Sequence, residues 1–179
     1  MEQLKFTPFP TIATERLILR RATIEDKKEI FILKSDDEVL KYLDNLKHNS
    51  IDETENFIRK IDDGITNNEW INWAITLKNS TKVIGTICLW NISKEHSAAE
   101  LGYELLPPFQ GKGIMQESLN AVIEYAFKNI KFNSLSAYTN KYNLKSINLL
   151  ERNGFIDKTY KNNNSLDDNK IYRLINLNT

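Results

Sequence analysis

Residues 99–119 read Ala99-Glu-Leu-Gly-Tyr-Glu-Leu-Leu-Pro-Pro-Phe-Gln-Gly-Lys-Gly-Ile-Met-Gln-Glu-Ser-Leu119. An alternating, apolar-rich run (Ala99–Leu106) reads as a strand, and Pro107-Pro108 stop it because proline cannot donate to a ladder. Gly111 and Gly113 follow, and from Gly113 to Ile130 the apolar residues Met115, Leu119, Val122, Ile123, Ala126, Phe127 and Ile130 recur at helical spacing. A strand that turns through glycines straight into a helix is suited to holding a pyrophosphate. The glycines let backbone N–H groups approach a ligand, and the first helical turn adds unpaired donors and the positive end of the helix dipole.

Two familiar phosphate-binding patterns are absent. No Lys-Ser/Thr pair follows Gly113, so this is not a Walker loop. Gln116 stands where the dinucleotide fingerprint needs its third glycine.

Outward from this stretch, the helical or strand period assigns most of the chain. Residues 1–13 form an extended arm with Pro8 and Pro10, and Arg16–Ala22 a strand. Thr23 and Asp26 cap a helix to about Lys34, and Glu38–Leu43 is a shorter helical piece. Ser50 with Glu53 makes a capping box for a helix that Gly64 and Thr66–Asn68 end. Trp70–Leu77 and Val83–Trp90 read as a hairpin around Asn79-Ser80-Thr81. Leu135–Thr139 is a strand and Lys145–Asn153 a helix stopped at Gly154. Phe155–Lys161 and Lys170–Leu177 are the last two strands, on either side of the turn-rich 162–169. The expected fold class is α/β (mixed α+β): one twisted, mixed sheet of six or seven strands with helices on both faces. The chain, 1–179, is expected to be a single domain.

Composition narrows the functions. Lys+Arg and Asp+Glu both number 24, so the basic excess typical of a nucleic-acid partner is missing. The single cysteine, Cys88, allows no intrachain disulfide and no multi-cysteine metal site. His48 and His96 lack ligand spacing, so no metal is expected. No apolar run reaches the roughly 18 residues of a membrane span, and the start lacks the features of a secretory signal. These together place the expectation in the cytoplasm.

Gln110-Gly-Lys-Gly-Ile-Met resembles the Q/R-x-x-G-x-G/A signature of the GNAT superfamily of N-acetyltransferases, with Met115 in place of the final Gly/Ala. Downstream, Asn143-Leu-Lys-Ser146-Ile-Asn-Leu-Leu-Glu-Arg-Asn-Gly-Phe155 is similar to that superfamily's N-x-x-S-x-x-L-L-E-K-x-G-F segment. The opening Thr14-Glu-Arg-Leu-Ile-Leu-Arg-Arg resembles the branch containing the Rim-type ribosomal-protein acetyltransferases.

The resemblance implies acetyl-CoA as donor. It implies that the amides of Gln110, Gly111, Lys112, Gly113, Ile114 and Met115 hold the pyrophosphate, with Met115 turning its side chain to the helix's core face. Leu105 and Leu106 would pair by main chain with the pantetheine arm, and Asn143 and Ser146 would flank that arm near the sulfur. The implied sheet is splayed open at the cofactor strand.

Acetyl transfer needs a base for the amine, donors for the oxyanion and support for the departing thiolate. Glu100 is the candidate base, since strand alternation puts it on one face with Gly102 and Glu104, where burial would raise its pKa. Ser146 is the candidate acid or thiol hydrogen-bonder by resemblance. Many superfamily members carry a tyrosine four residues after this serine, where this chain has Leu150. Tyr103, Tyr138 and Tyr142 are possible substitutes, each read first as a packing residue.

Cys88 reads as a small buried hydrophobe. Trp70, Trp73 and Trp90 read as core residues, one of which could line an acceptor pocket. The acidic pairs 36–37, 62–63 and 167–168 read as caps or solvated surface.

The acceptor expected is a primary amine, a peptide amino terminus or a small molecule such as a polyamine, amino acid or antibiotic. The protein would act as a monomer or homodimer. A module that binds CoA without catalysis is the reading from another class.

Overall fold

The computed structural model describes residues 4–43, 46–93, 95, 97–159 and 168–177. In chain order these form Ile12–Ala13 (β1), Leu17–Arg20 (β2), a short turn of 3₁₀ helix at Ile24–Asp26 leading into Lys27–Ser35 (α1), Asp37–Leu40 (α2) and Ile51–Thr66 (α3). Ile71–Leu77 (β3), Val83–Ser93 (β4) and Ala98–Leu105 (β5) follow, then Ile114–Glu124 (α4), Ser134–Asn140 (β6), Leu144–Arg152 (α5), Ile156–Asp157 (β7) and Asn169–Ile175 (β8). Eight strands make one mixed sheet in the order β1-β2-β3-β4-β5-β6-β8-β7.

The count exceeds the six or seven expected because Ile12 and Ala13, read as arm, pair with Leu19 and Ile18 as an edge strand. The strand expected over Phe155–Lys161 is confined, among the described residues, to Ile156–Asp157.

Both faces of the sheet are covered. One apolar cluster joins Ile71, Trp73 and Ile75 of β3 to Ile114, Met115, Leu119 and Val122 of α4 and to Ile147 and Leu150 of α5. The other joins Ala74 and Val83 to Ile30 of α1 and Ile58 of α3. Period-two alternation in β3 therefore buries opposite side chains under different helices, which is why that strand is apolar almost throughout.

Local chemistry sets the helix ends. Ser50 Oγ accepts from Glu53 N at 3.1 Å, while the Glu53 carboxylate reaches back to Asn49 N at 2.7 Å, one residue beyond the expected capping-box partner. Asp36 caps α2 by accepting from the N–H groups of Glu38 and Val39.

Gly64 does not end α3; it lies within it. A Cβ there would sit 1.9 Å from Trp70 Cε2, so the glycine makes room for an indole that donates to Ile61 O at 3.1 Å. The helix expected to reach Ile130 leaves α geometry after Glu124 and continues as a wider π coil over Tyr125–Ile130, until Lys131 takes the left-handed conformation (φ 65°). Among the described residues, no helix is long and apolar enough to cross a membrane.

Six of the seven neighbouring strand pairs are antiparallel, and β5–β6 is the parallel one. A parallel neighbour needs a crossover, which α4 provides. The parallel pairing is brief: Ala98↔Ser134, Ala99↔Leu135 and Glu100↔Ser136. Beyond Glu100, β5 runs on to Leu105 and β6 to Asn140 without pairing to each other, so the sheet opens between them. That opening positions the site.

Candidate functional site

Three pieces of chain meet at the opening: the end of β5, the Gln110–Met115 turn into α4, and the start of α5. Gly113 is the N-cap of α4 at φ 74°, and Gly111 has φ 71°. Both are left-handed values that cost a residue with a side chain about 1 kcal/mol or more, so glycine at each lets the turn close without strain. A Cβ on Gly111 would meet nothing within 4 Å, and residues 111–113 are exposed. An open run of backbone at a helix start fits an anionic group. Ile114 and Met115 are buried, and Met115 packs its side chain into the core, as its place in the helical pattern implies.

The turn is braced by side chains. Gln110 donates from Nε2 to Leu105 O (2.9 Å) and accepts from Lys145 Nζ (3.1 Å), linking the end of β5 to α5. Leu106 N–H is already engaged with Ile84 O across β4, at 2.9 Å. Because main-chain groups alternate sides along a strand, Leu105 belongs to the side of the opening and Leu106 to the β4 side. Gln116 Nε2 donates to Asn153 Oδ1 at 2.7 Å and holds α4 to the end of α5.

A further brace comes from far upstream. Glu117 accepts from Thr14 Oγ1 (2.5 Å), Arg16 N (2.8 Å) and Arg16 Nε (2.6 Å), while Arg16 Nη1 donates to Lys112 O at 3.0 Å. Burial alone would raise the Glu117 pKa, but the Thr14 hydroxyl and the Arg16 amide and guanidinium lower it below the usual glutamate value. Thr14 entered the sequence reading only through the resemblance, and Arg16 through that and as the start of a strand. Their contact with the turn spans about a hundred positions, which no local pattern encodes.

At the start of α5, Asn143 is the N-cap and accepts from Ser146 N at 3.2 Å. Ser146 is buried, and its Oγ lies 2.8 Å from Tyr103 Oη. Tyr103 is therefore more than the packing residue read from sequence: it hydrogen-bonds to the candidate serine across the opening. Burial pushes its phenol up to about 12, against a smaller opposing effect of Ser146. Leu150, at the position where many superfamily members have tyrosine, is fully buried in the core.

On the other face of β5, Glu100 is half-buried and accepts from Asn91 Nδ2 at 2.6 Å in an exposed hydrogen bond. The burial expected along the Glu100, Gly102, Glu104 face is deepest at Glu104, whose carboxylate pairs with Lys34 Nζ at 2.6 Å. Opposite Glu100 lies Trp90, which is 49% exposed rather than in the core. Its Nε1 lies 3.8 Å from where a Gly102 Cβ would be. Trp73 is fully buried, and Trp70 is partly buried against the core.

His48 is not isolated in space. It rests edge-on against Phe57, its Nδ1 is 2.9 Å from Thr54 Oγ1, and burial followed by the Lys34 charge lowers its pKa. Cys88 is half-buried, and desolvation with the Glu104 charge raises its thiol to about 12, in keeping with a non-nucleophilic cysteine. No cluster of potential metal ligands exists among the described residues. His96, Asp167 and most of the 162–169 turn lie outside them.

Residues 16–156 match the acetyltransferase (GNAT) domain family. The chain is 30% identical over 175 residues to the uncharacterized N-acetyltransferase YoaA of Bacillus subtilis, covering 93% of this chain and 97% of that protein. The ribosomal-protein-S5-alanine acetyltransferase of Vibrio fischeri superposes with a TM-score of 0.81 at 22% identity, over 94% of this chain and 98% of that one. The spermidine N-acetyltransferase of Vibrio cholerae, solved with CoA and spermine, superposes with a TM-score of 0.77 at 23% identity, over 90% and 96% of the two chains. At these identities the two solved structures share the fold with this chain.

Proposed function

The chain belongs to the GNAT acetyltransferase family and is an N-acetyltransferase, and from that premise we propose that it moves acetyl from acetyl-CoA to the primary amine of a peptide amino terminus, as one catalytic domain. The observation that carries the reading of the donor site is the glycine turn capping α4 beside the point where β5 and β6 part. A pyrophosphate would be held by the amides of residues 111–115; the Gln110 amide, expected among them, already donates to Pro107 O at 3.1 Å. Leu105 and Asn143 would border the pantetheine arm, with Leu106 behind it.

In the proposed reaction the Glu100 carboxylate takes a proton from the incoming ammonium through water. The free amine attacks the thioester carbonyl carbon and a C–N bond forms; the nitrogen gives its second proton to water as the C–S bond breaks with its electron pair passing to sulfur. Ser146, as the buried hydroxyl at the start of α5, would donate a hydrogen bond to that sulfur.

A small cationic amine is the second reading. The pairing of Glu100 with a half-exposed Trp90 on the neighbouring strand supports it, since a carboxylate and an indole face both favour an ammonium.

The test is acetyl-CoA-dependent release of free thiol over peptides with free amino termini, spermine and single amino acids, with Gly113→Asp as control. A carboxylate in the turn would repel the pyrophosphate. Its Cβ would meet only the Arg16 Nη2 end at 3.3 Å, so the cost is that of a side chain at φ 74°, about 1 kcal/mol, which the fold is expected to absorb. Peptide turnover lost in the control supports the leading reading, and turnover with small amines alone supports the second. Saturable CoA binding without turnover on any acceptor would point to a non-catalytic module, and absence of CoA binding would sink the proposal.

A further inference from the structure

Tyr103 lies on the stretch of β5 that has parted from β6, and its hydroxyl crosses the opening to reach Ser146 Oγ at 2.8 Å. Its neighbours on the same strand face, Leu101 and Leu105, are buried in the core, which fixes the ring. Ser146 is held at two points, by Asn143 Oδ1 on its backbone N–H and by Tyr103 on its side chain. A phenol is a much stronger acid than an alkyl alcohol, so Tyr103 is the better donor of the two, and the serine oxygen accepts. With its lone pair so occupied, Ser146 has its own proton left to donate elsewhere, and hydrogen bonds in such a chain reinforce one another.

Resting on the acetyl-CoA reading above, we infer that Tyr103 is a positioning residue: its hydroxyl orients and polarises Ser146 so that the serine proton is aimed at the sulfur of the departing coenzyme A. No proton leaves Tyr103. As the C–S bond breaks, its electron pair stays on sulfur, and the thiolate accepts the Ser146 hydrogen bond until solvent protonates the released coenzyme. Burial pushes the phenol up to about 12, so Tyr103 keeps the proton it donates throughout the working range. The relay supports the leaving group without a tyrosine at position 150, where Leu150 is a core residue.

The test does not need the acceptor. Coenzyme A itself is bound to the wild-type protein, and its thiol is titrated by the ultraviolet absorbance of the thiolate. The same is done for Tyr103→Phe, Ser146→Ala and the double variant. Loss of one hydrogen bond in the relay should lower the ionisation constant of the bound thiol by about fivefold in Tyr103→Phe, with affinity for coenzyme A nearly unchanged. Tyr103→Phe should add little in the Ser146→Ala background, because the phenol acts through the serine.

An unchanged thiol titration in Tyr103→Phe, or full and additive effects of the two substitutions, overturns the inference and leaves the acetyltransferase reading standing. A Tyr103→Phe protein that loses coenzyme A affinity while its bound thiol titrates as before assigns the residue to packing and also overturns it. Failure of the wild type to bind coenzyme A would overturn both.

Discussion

Lys34 Nζ and Glu104 Oε1 lie 2.6 Å apart in an ion pair whose side chains are only 9% and 8% exposed, joining α1 to β5. Lys34 also sits 4.8 Å from the centroid of the Phe57 ring. Desolvating two charges is costly, and removing one partner leaves the other buried without its counter-ion. Lys34→Met is therefore expected to cost about 3–5 kcal/mol, whereas Lys34→Met combined with Glu104→Leu should recover most of that loss. Urea unfolding of the three proteins checks it; equal losses in the single and double variants would refute the pairing argument.

His48 predicts a pH dependence. Its pKa in the folded protein is lowered by burial first and by Lys34 second, with Glu53 and Glu104 opposing. The folded state then favours the neutral ring, while the unfolded chain takes up a proton near the ordinary value of about 6.5. The contribution to stability is present above about pH 6.5 and is lost as pH falls through the folded value. Urea midpoints between pH 8 and pH 5 should fall less steeply in His48→Gln than in the wild type, and parallel curves would exclude His48 as the source.

Glu117 predicts a separation of donor binding from chemistry. Its carboxylate holds Thr14 and Arg16 against the glycine turn. Removing it in Glu117→Ala should loosen the turn and raise KM for acetyl-CoA by about three- to tenfold, the scale of one or two hydrogen bonds, with kcat little changed. Steady-state kinetics at fixed acceptor give the split, and a fall in kcat at constant KM would count against a bracing role.

Glu100→Gln keeps the size of the side chain and its capacity to accept from Asn91 but removes the base. If Glu100 takes the amine proton, kcat should fall by about 10²-fold or more while coenzyme A affinity holds. Full turnover in this variant would move the base elsewhere.

Much of the fold was legible because strand and helix periods are local. The alternation at Ala99–Leu106, the helical spacing from Gly113 and the glycines between them predict a strand, turn and helix where β5 and α4 stand. Asn143 and Ser146 were legible only through the resemblance, with the helix read from Lys145; the structure starts α5 at Leu144, makes Asn143 its N-cap and places Ser146 in its first turn. The edge strand β1 was not legible, since two residues carry no period and pair only because β2 lies beside them. Gly64 was misread for a related reason: a glycine near a helix end looks like a stop, and only the packed Trp70 ring reveals that it makes room.

The site divides the same way. By itself the sequence determined the glycine turn into α4, because positive φ at residues 111 and 113 and a helix start just after them depend on a few consecutive residues. Only the tertiary structure decided which side chains complete it. Arg16 meets Glu117 across 101 positions, Lys34 meets Glu104 across 70, and Tyr103 meets Ser146 across 43. Each contact depends on strand order, on where β5 parts from β6 and on which face of the sheet a helix covers. Those are settled by burial summed over the whole chain, and a local pattern does not contain them.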